Sequence, residues 1–407
     1  MHLKFAWRYF KAKKSANAIN IIAWVTVGVI AFATCCQVLV LSVFNGLEDL
    51  VKSLYSSFYT DVKVVPAKGK TFRLTADQIA AIKQQPYIAN ICLEAEEKAI
   101  LKNNIRESQT VVSLKGVDEN YPLVSGVASK TNPGKYLVGT TDDPYIVTGS
   151  GIRNSIEFNV DPPDPLGNLT VILPKRTVDN DPLESISEGT IKASGVFSIQ
   201  QEFDETYAIT NLGFVKRQMG FALDEYSSIE IKLKADEDAK TSANKLEKLL
   251  GSQYKTVTRY EQNMSLYNTM RMEKWAIYGV LTLILIIASF NMVSSLTMLV
   301  LEKRKDISVL QSLGSNRFGI LKIFLSEGIL LAIIGAAIGI ALAVLLCFIQ
   351  TQFHLIKLGG ESFLIDYFPV KLIATDFLLV AATVGIIAFF AAWFPARKAS
   401  RQAFELH

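Results

Sequence analysis

Uncharged, apolar positions run unbroken from Ser15 to Leu47 and again over Trp275–Leu301, Gly328–Ile356 and Phe377–Ala396. A helix needs roughly 20 such residues to cross a bilayer, so the pattern predicts four transmembrane helices. The first run is too long for the apolar part of a cleavable signal and is read as a retained anchor. Between the first and second spans the periods are shorter. Asp61–Pro66 alternates like a strand, Thr75 opens a helical run that Pro86 stops, and Ile88–Leu101 and Ile105–Gly116 read as paired strands. Farther along, Gly195–Phe203 and Tyr207–Thr210 read as extended, Asn211–Met219 as helix, Ser228–Lys234 as extended, Ala235–Leu250 as helix and Tyr254–Val257 as extended. The turn-rich stretch from Tyr121 to Glu188 reads as a small strand-rich second lobe. The predicted fold class is a membrane protein with four transmembrane α-helices and a large α+β extracytoplasmic domain inserted between helices 1 and 2.

Charge gives these spans a direction. Lys4, Arg8, Lys11, Lys13 and Lys14 precede the first span with no acid among them. Basic residues gather on the cytoplasmic side, so the N-terminus is placed inside. The loop 302–317 holds Lys303, Arg304, Lys305 and Arg317, and the tail holds Arg397, Lys398 and Arg401, both on the inner side of a four-span topology. The loop after the third span balances Lys357 and Lys371 with Glu361, Asp366 and Asp376, as an outer loop should. The chain then divides into 1–47 (N-terminus and span one), 48–259 (outer domain), 260–301 (stalk helix and span two), 302–317 (inner helix), 318–356 (span three), 357–376 (short outer loop) and 377–407 (span four and tail).

Composition narrows the function classes. A net charge of +4 is accounted for by topology, so nucleic acid is not an expected partner despite a pI near 8.6. Cys35, Cys36 and Cys347 fall within spans, leaving Cys92 alone outside, so no disulfide staples the outer domain. His2, His354 and His407 are scattered, without metal-ligand spacing, and no metal is expected. A phosphate-binding G-x-x-x-x-G-K-[ST] does not occur, since Gly69-Lys70 and Gly134-Lys135 both lack the preceding glycine. Neither a catalytic constellation nor an ATPase is legible, and the chain is read as a non-enzyme.

Four segments carry candidate roles. In LEKRKDISVLQSLGSNR, Ile307, Leu310 and Leu313, with Val309 beside them, fall on one side of a short helix that Gly314 stops. Such a helix either lies among headgroups through Lys303, Arg304 and Lys305 or docks a cytoplasmic partner through its apolar row. Tyr260 onward reads as one long helix running into span two, a transmitter of motion or a rigid connector. Glu327 sits about two turns into span three, where an acid is costly; it is either functional or held near the headgroups by Lys322 or Arg317. The acidic tract Pro174–Gly189 is either a protruding hairpin or a surface loop.

LSVFNGLEDL at the end of span one, EKRKDISVLQSLGS in the inner loop, FLSEGILLAIIGAAIGI in span three and the terminal FPARKAS together resemble the LolC/LolE permeases of the lipoprotein-releasing ABC transporter. The wider group includes MacB and FtsX, of the type VII ABC class. The resemblance implies a permease subunit in a bacterial inner membrane, with a second permease copy or relative and a cytoplasmic ATPase dimer that uses ATP and Mg. No cofactor is bound by this chain. The implied work is mechanotransmission, the extraction of lipoproteins and their transfer to a LolA-like periplasmic chaperone, with membrane lipid as surroundings. An FtsX-like regulator of cell-wall hydrolases and a MacB-like export permease are the alternatives. Carried over by position, Glu302, Lys303, Arg304, Asp306, Ile307, Leu310 and Gly314 match an ATPase-coupling helix. Val38, Leu41, Phe44, Met270 and Ile277 match the walls of a lipoprotein cavity, and Pro174, Lys175 and Arg176 match a chaperone-contact loop.

Overall fold

The computed structural model describes residues 17–160, 168–175, 186–357 and 367–401. They form two units, one of residues 17–50, 268–357 and 367–401, the other Val51–Tyr267. The first helix, α1 (Asn17–Phe58), runs about three turns past Leu47, where the uncharged run ends. It continues because Leu47, Val51, Leu54, Tyr55 and Phe58 keep apolar positions at helical spacing beyond Glu48 and Asp49.

After α1 the outer unit contains β1 (Val62–Pro66), β2 (Phe72–Arg73), α2 (Ala76–Lys83), β3 (Ile88–Asn103), β4 (Ser108–Val117), α3 (Tyr121–Val124), β5 (Thr131–Gly134), β6 (Tyr145–Gly149) and α4 (Ser150–Ile156). There follow β7 (Asn168–Pro174), β8 (Ile186–Phe197), α5 (Gln201–Thr206), β9 (Tyr207–Asn211), α6 (Leu212–Met219), β10 (Glu225–Tyr226), β11 (Ser228–Leu233), α7 (Ala239–Leu250), β12 (Tyr254–Thr258) and α8 (Arg259–Gln262). Local chemistry sets the starts. Thr75 and Gln78 close a capping box on α2, and the Asn211 and Asp238 side chains accept from the backbone N–H groups of Phe214 and Thr241. The Asp238 cap starts α7 four residues later than expected. The stretch expected to stay extended through Phe203 instead ends its strand at Phe197 and turns into α5. Asp204 drives that turn by accepting from the Ile199 N–H and from the hydroxyls of Ser198 and Ser150.

Among the described residues, ten strands join one mixed sheet in the order β12-β1-β11-β3-β4-β9-β6-β8-β5, with β7 paired to β3 and β8. The turn-rich stretch expected to form a second lobe supplies β5 to β7 and the start of β8 to that same sheet. Both faces are covered. On one, Ile229, Ile231, Leu114 and Val196 pack under α2, α4, α6 and α7. On the other, Val117, Val147, Phe197 and Ile209 meet Tyr121, Phe203 and the end of α1 through Tyr55 and Phe58.

The membrane unit completes the chain with α9 (Met264–Glu302), α10 (Arg304–Ser312), α11 (Arg317–Phe353) and α12 (Ala374–Ser400). The stalk expected to run unbroken from Tyr260 is interrupted at Asn263, whose backbone leaves helical geometry between α8 and α9. Helices α1, α9, α11 and α12 are long and apolar enough to cross a membrane. They share one core, with Val27, Ile30 and Leu41 against Met292, Leu296, Phe324, Leu331, Val384 and Ala388. Glycines let backbones close in: a Cβ on Gly328 would run into Ala392, one on Gly335 into Val27 and Ile30, and one on Gly339 into Ala31 and Thr34.

Candidate coupling and cargo-facing sites

The inner helix splits its apolar row. Ile307 is 2% exposed and belongs to the bundle core, Leu310 is half-buried, and Val309 and Leu313 are 59% and 79% exposed. Ile307 is therefore an anchor to the bundle and not a docking surface, which corrects its expected placement. The surface left for a partner comprises Val309, Leu313 and, just beyond, Phe318, 74% exposed. Charges frame it. Glu302 ends α9, Lys303 pairs with Asp306 at 3.0 Å across the first turn of α10, and Arg304 and Lys305 are exposed. Gly314 takes the left-handed backbone, φ +86°, and the Ser315 N–H donates to the Leu310 carbonyl, so α10 ends in a tight turn.

Glu327 is 2% exposed, inside the helix bundle. α11 begins at Arg317, and the acid lies nearly three turns in, beside the close contact of Gly328 with Ala392.

The expected cargo-facing positions separate. Val38 and Leu41 are 2% and 1% exposed and pack within the bundle core, so they line no open space in this chain. The heptad-like row through Val27, Ile30, Val38 and Leu41 is the inner face of α1, which is why apolar character alone misplaced them. Phe44, Met270 and Ile277 are half-buried. An open apolar face lies on α9, where Trp275, Val280, Leu283, Ile287 and Phe290 are all more than half exposed. At the end of the bundle where α1 leaves it, a polar cluster missed in the sequence ties three helices. The Lys274 ammonium donates to Asn45 Oδ1 at 2.7 Å and lies 3.4 Å from Asp376, while Asn45 Nδ2 donates to Asp376 at 2.6 Å. Farther along the same helices, Gln37 donates to Thr282, and Tyr278 and Thr383 share a hydrogen bond.

Of the chaperone-contact positions, Pro174 and Lys175 are exposed where β7 and β8 last pair, at Pro174 and Ile186. Arg176 and the rest of the tract to 185 lie outside the described residues.

The outer unit holds a second missed cluster. Lys115 on β4 lies 2.9 Å from both Glu94 on β3 and Glu230 on β11, and Lys63 on β1 lies 3.1 Å from Glu94. All but Lys63 are almost wholly buried. Register brings them together, since Lys63 stands opposite Glu230 and Lys115 opposite Glu96. The Lys115 ammonium also lies 4.9 Å from the Phe58 ring. Burial pushes the Glu230 carboxyl up to about 7, against the pull of Lys115 and Lys63 and with the help of Glu94. Burial acts on Glu94 too, but there Lys115 and Lys63 prevail and hold the carboxyl well below the usual range. Alternation hid this cluster: in SIEIKL the acid occupies the face that a half-exposed sheet would give to water, and here that face is covered.

A model of the MacB-like periplasmic core domain matches residues 23–249, and one of the FtsX-like permease C-terminal region matches residues 278–404. Among curated proteins, the chain is similar to the lipoprotein-releasing system transmembrane protein LolC of Xylella fastidiosa strain 9a5c, 24% identical over 97% of this chain and 95% of that one. It is similar also to LolE of Haemophilus influenzae, 22% identical over 97% of this chain and 96% of that one. Among solved structures it matches the periplasmic region of MacB from Actinobacillus actinomycetemcomitans, 17% identical with a TM-score of 0.38, over 54% of this chain and 98% of that one.

Proposed function

The chain belongs to the family of proteins with a MacB-like periplasmic core domain, whose model matches more than half of it, and from that membership we propose that it is the permease subunit of a lipoprotein-releasing ABC transporter. The carrying observation is the similarity to LolC and LolE across nearly the whole length of each, spans and outer domain together. On this reading the chain sits in the inner membrane with both termini cytoplasmic and catalyses nothing itself. A separate ATPase dimer binds ATP and Mg and docks on α10. The exposed apolar trio Val309, Leu313 and Phe318 beside Arg304 and Lys305 supports that contact. A second permease, identical or related, meets the open face of α9, and the space between them takes the acyl chains of a lipoprotein, with Phe44, Met270 and Ile277 at its edge. Acyl chains offer no hydrogen bonds, so an apolar wall suffices and release must be driven. The tract that begins at Pro174 and Lys175 then meets a LolA-like periplasmic chaperone.

The test is reconstitution of the chain with its ATPase in proteoliposomes carrying a triacylated lipoprotein, followed by ATP and a soluble chaperone. Lipoprotein appearing in the soluble fraction only with ATP is the expected result. Hydrolysis without release would overturn it in favour of an FtsX-like regulator, and ATP-driven export of small macrolides or peptides would favour a MacB-like permease.

A further inference from the structure

An apolar cleft of about 440 Å³ opens in the membrane unit between the outer half of α1 and the end of α11. Leu39 and Val43, one turn apart, form one wall; Leu346 and Gln350 belong to the opposite one; Ile356 and Phe368 close the roof. The roof is fixed from beneath. Gln350 Nε2 donates to the carbonyls of Ile356 and Phe368 at 3.0 and 3.2 Å, while its Oε1 accepts from the Ile356 N–H at 3.0 Å. The Phe368 N–H donates to the Ile356 carbonyl, and the Lys371 N–H donates to the Ser42 carbonyl on α1. Gly46 lets the chain pass this close, because a Cβ there would strike the Pro369 carbonyl.

Two consequences follow from these bonds. The one polar side chain in the wall spends its amide on the roof, so the cleft offers nothing to a headgroup and everything to hydrocarbon. An apolar space of this size, in the range of ligand pockets, also forfeits dispersion contacts along its whole lining if it stays empty. The rim carries charge instead. Lys357 follows Ile356 directly and is exposed; Lys371 follows the lining residue Val370, and its ammonium lies 2.6 Å from the Asp49 carboxylate. Cations with an acid beside them complement a phosphate that bears its own ammonium.

We propose that this cleft binds one acyl chain of a zwitterionic membrane phospholipid, with the headgroup phosphate held at Lys357 and Lys371. The gain over surrounding lipid is small, so occupancy comes from packing and from the rim. The site stands whatever the cargo of the transporter.

The full chain in nanodiscs of phosphatidylethanolamine, with a trace of that lipid carrying an acyl-chain diazirine, is irradiated and its peptides mapped. Label should concentrate on residues 39–43 and 346–356. Filling the cleft with Val43→Trp and Leu346→Trp should lower it there about tenfold, while label on the exposed Phe390 and Phe394 of α12 stays unchanged. Leu39→Phe, a milder filler, should lower it in the same direction, which protects the test against a misfolded double variant. Lys357→Ala with Lys371→Ala should weaken labelling by phospholipid about fivefold but leave labelling by diazirine diacylglycerol unchanged. Label no denser at the cleft than at Phe390 would overturn the site. Preferential labelling by a diazirine lipopeptide that displaces phospholipid would overturn the choice of ligand.

Discussion

Glu230 holds its proton above the usual carboxylate range. Lys63 and Lys115 bring two positive charges to three acids, Glu94, Glu96 and Glu230, so one acid is in excess, and burial makes Glu230 the one that gives up its proton least readily. Its folded value, about 7, lies above the ordinary 4.5, so the folded state binds the extra proton between those values. This group's support is full below about pH 4.5 and is lost as pH rises through 7; Glu94, held low, acts oppositely and loses its support only as pH falls below 4.5. Glu230→Gln should therefore flatten the fall in amide protection of β1 and β11 between pH 5 and 8, read by hydrogen exchange on the full chain. An unchanged profile would show that another group titrates. Lys115→Met leaves Glu94 and Glu230 buried with only Lys63 between them and should cost about 3–5 kcal/mol, seen as loss of protection across β3, β4 and β11.

At the scale of elements, α10 sorts its residues by what each faces. Val309→Asp with Leu313→Asp alters only exposed side chains and should abolish co-purification of the ATPase while the bundle stays folded. Retained ATPase would dismiss α10 as the docking element. Ile307→Asp puts a carboxylate into the bundle core and should cost more than about 3 kcal/mol, so loss of ATPase in that variant says nothing about docking. The apolar spacing of this helix was legible from residues 302–317; which residue turns inward was not, because the break at Lys303 sets the roll of α10 against the bundle. The same limit explains other differences. Caps at Thr75 and Asn211 could be read directly, whereas the turn into α5 depends on Asp204 reaching Ser150, 54 residues away. Strand alternation located β1, β3, β4 and β11 but left Glu230 and Lys115 unremarked, since nothing local announces that helices cover both faces of a sheet.

For the molecule as a whole, hydropathy and loop charge gave the four spans and the insertion between the first two, because those depend on length and composition alone. The cargo-facing wall was less legible, since Val38 and Leu41 differ from their exposed neighbours only in direction. Beside the apolar core that α1, α9 and α12 share, a polar cluster also ties them, and Lys274 is its centre. Lys274→Met should leave Asn45 and Asp376 bridged to each other but α9 released, lowering the thermal midpoint of the membrane unit. The neighbouring Trp275, edge-on to Tyr278 at 5.8 Å, supplies a fluorescence readout. An unshifted midpoint would reduce the cluster to a surface ornament.

The close approaches at Gly46, Gly328, Gly335 and Gly339 bear on how this gene can drift. Every base change that replaces one of these glycines by another residue adds at least a Cβ, and at these four positions that atom would meet a neighbour closer than 3.0 Å. At Gly28, Gly279 and Gly385 nothing lies within 4 Å to meet it. A saturation library scored for membrane accumulation should thus deplete all substitutions at the first four codons, alanine included, while the other three accept alanine freely. Lineages diverging from this sequence are bound to carry the first set forward unaltered long after the second has been rewritten.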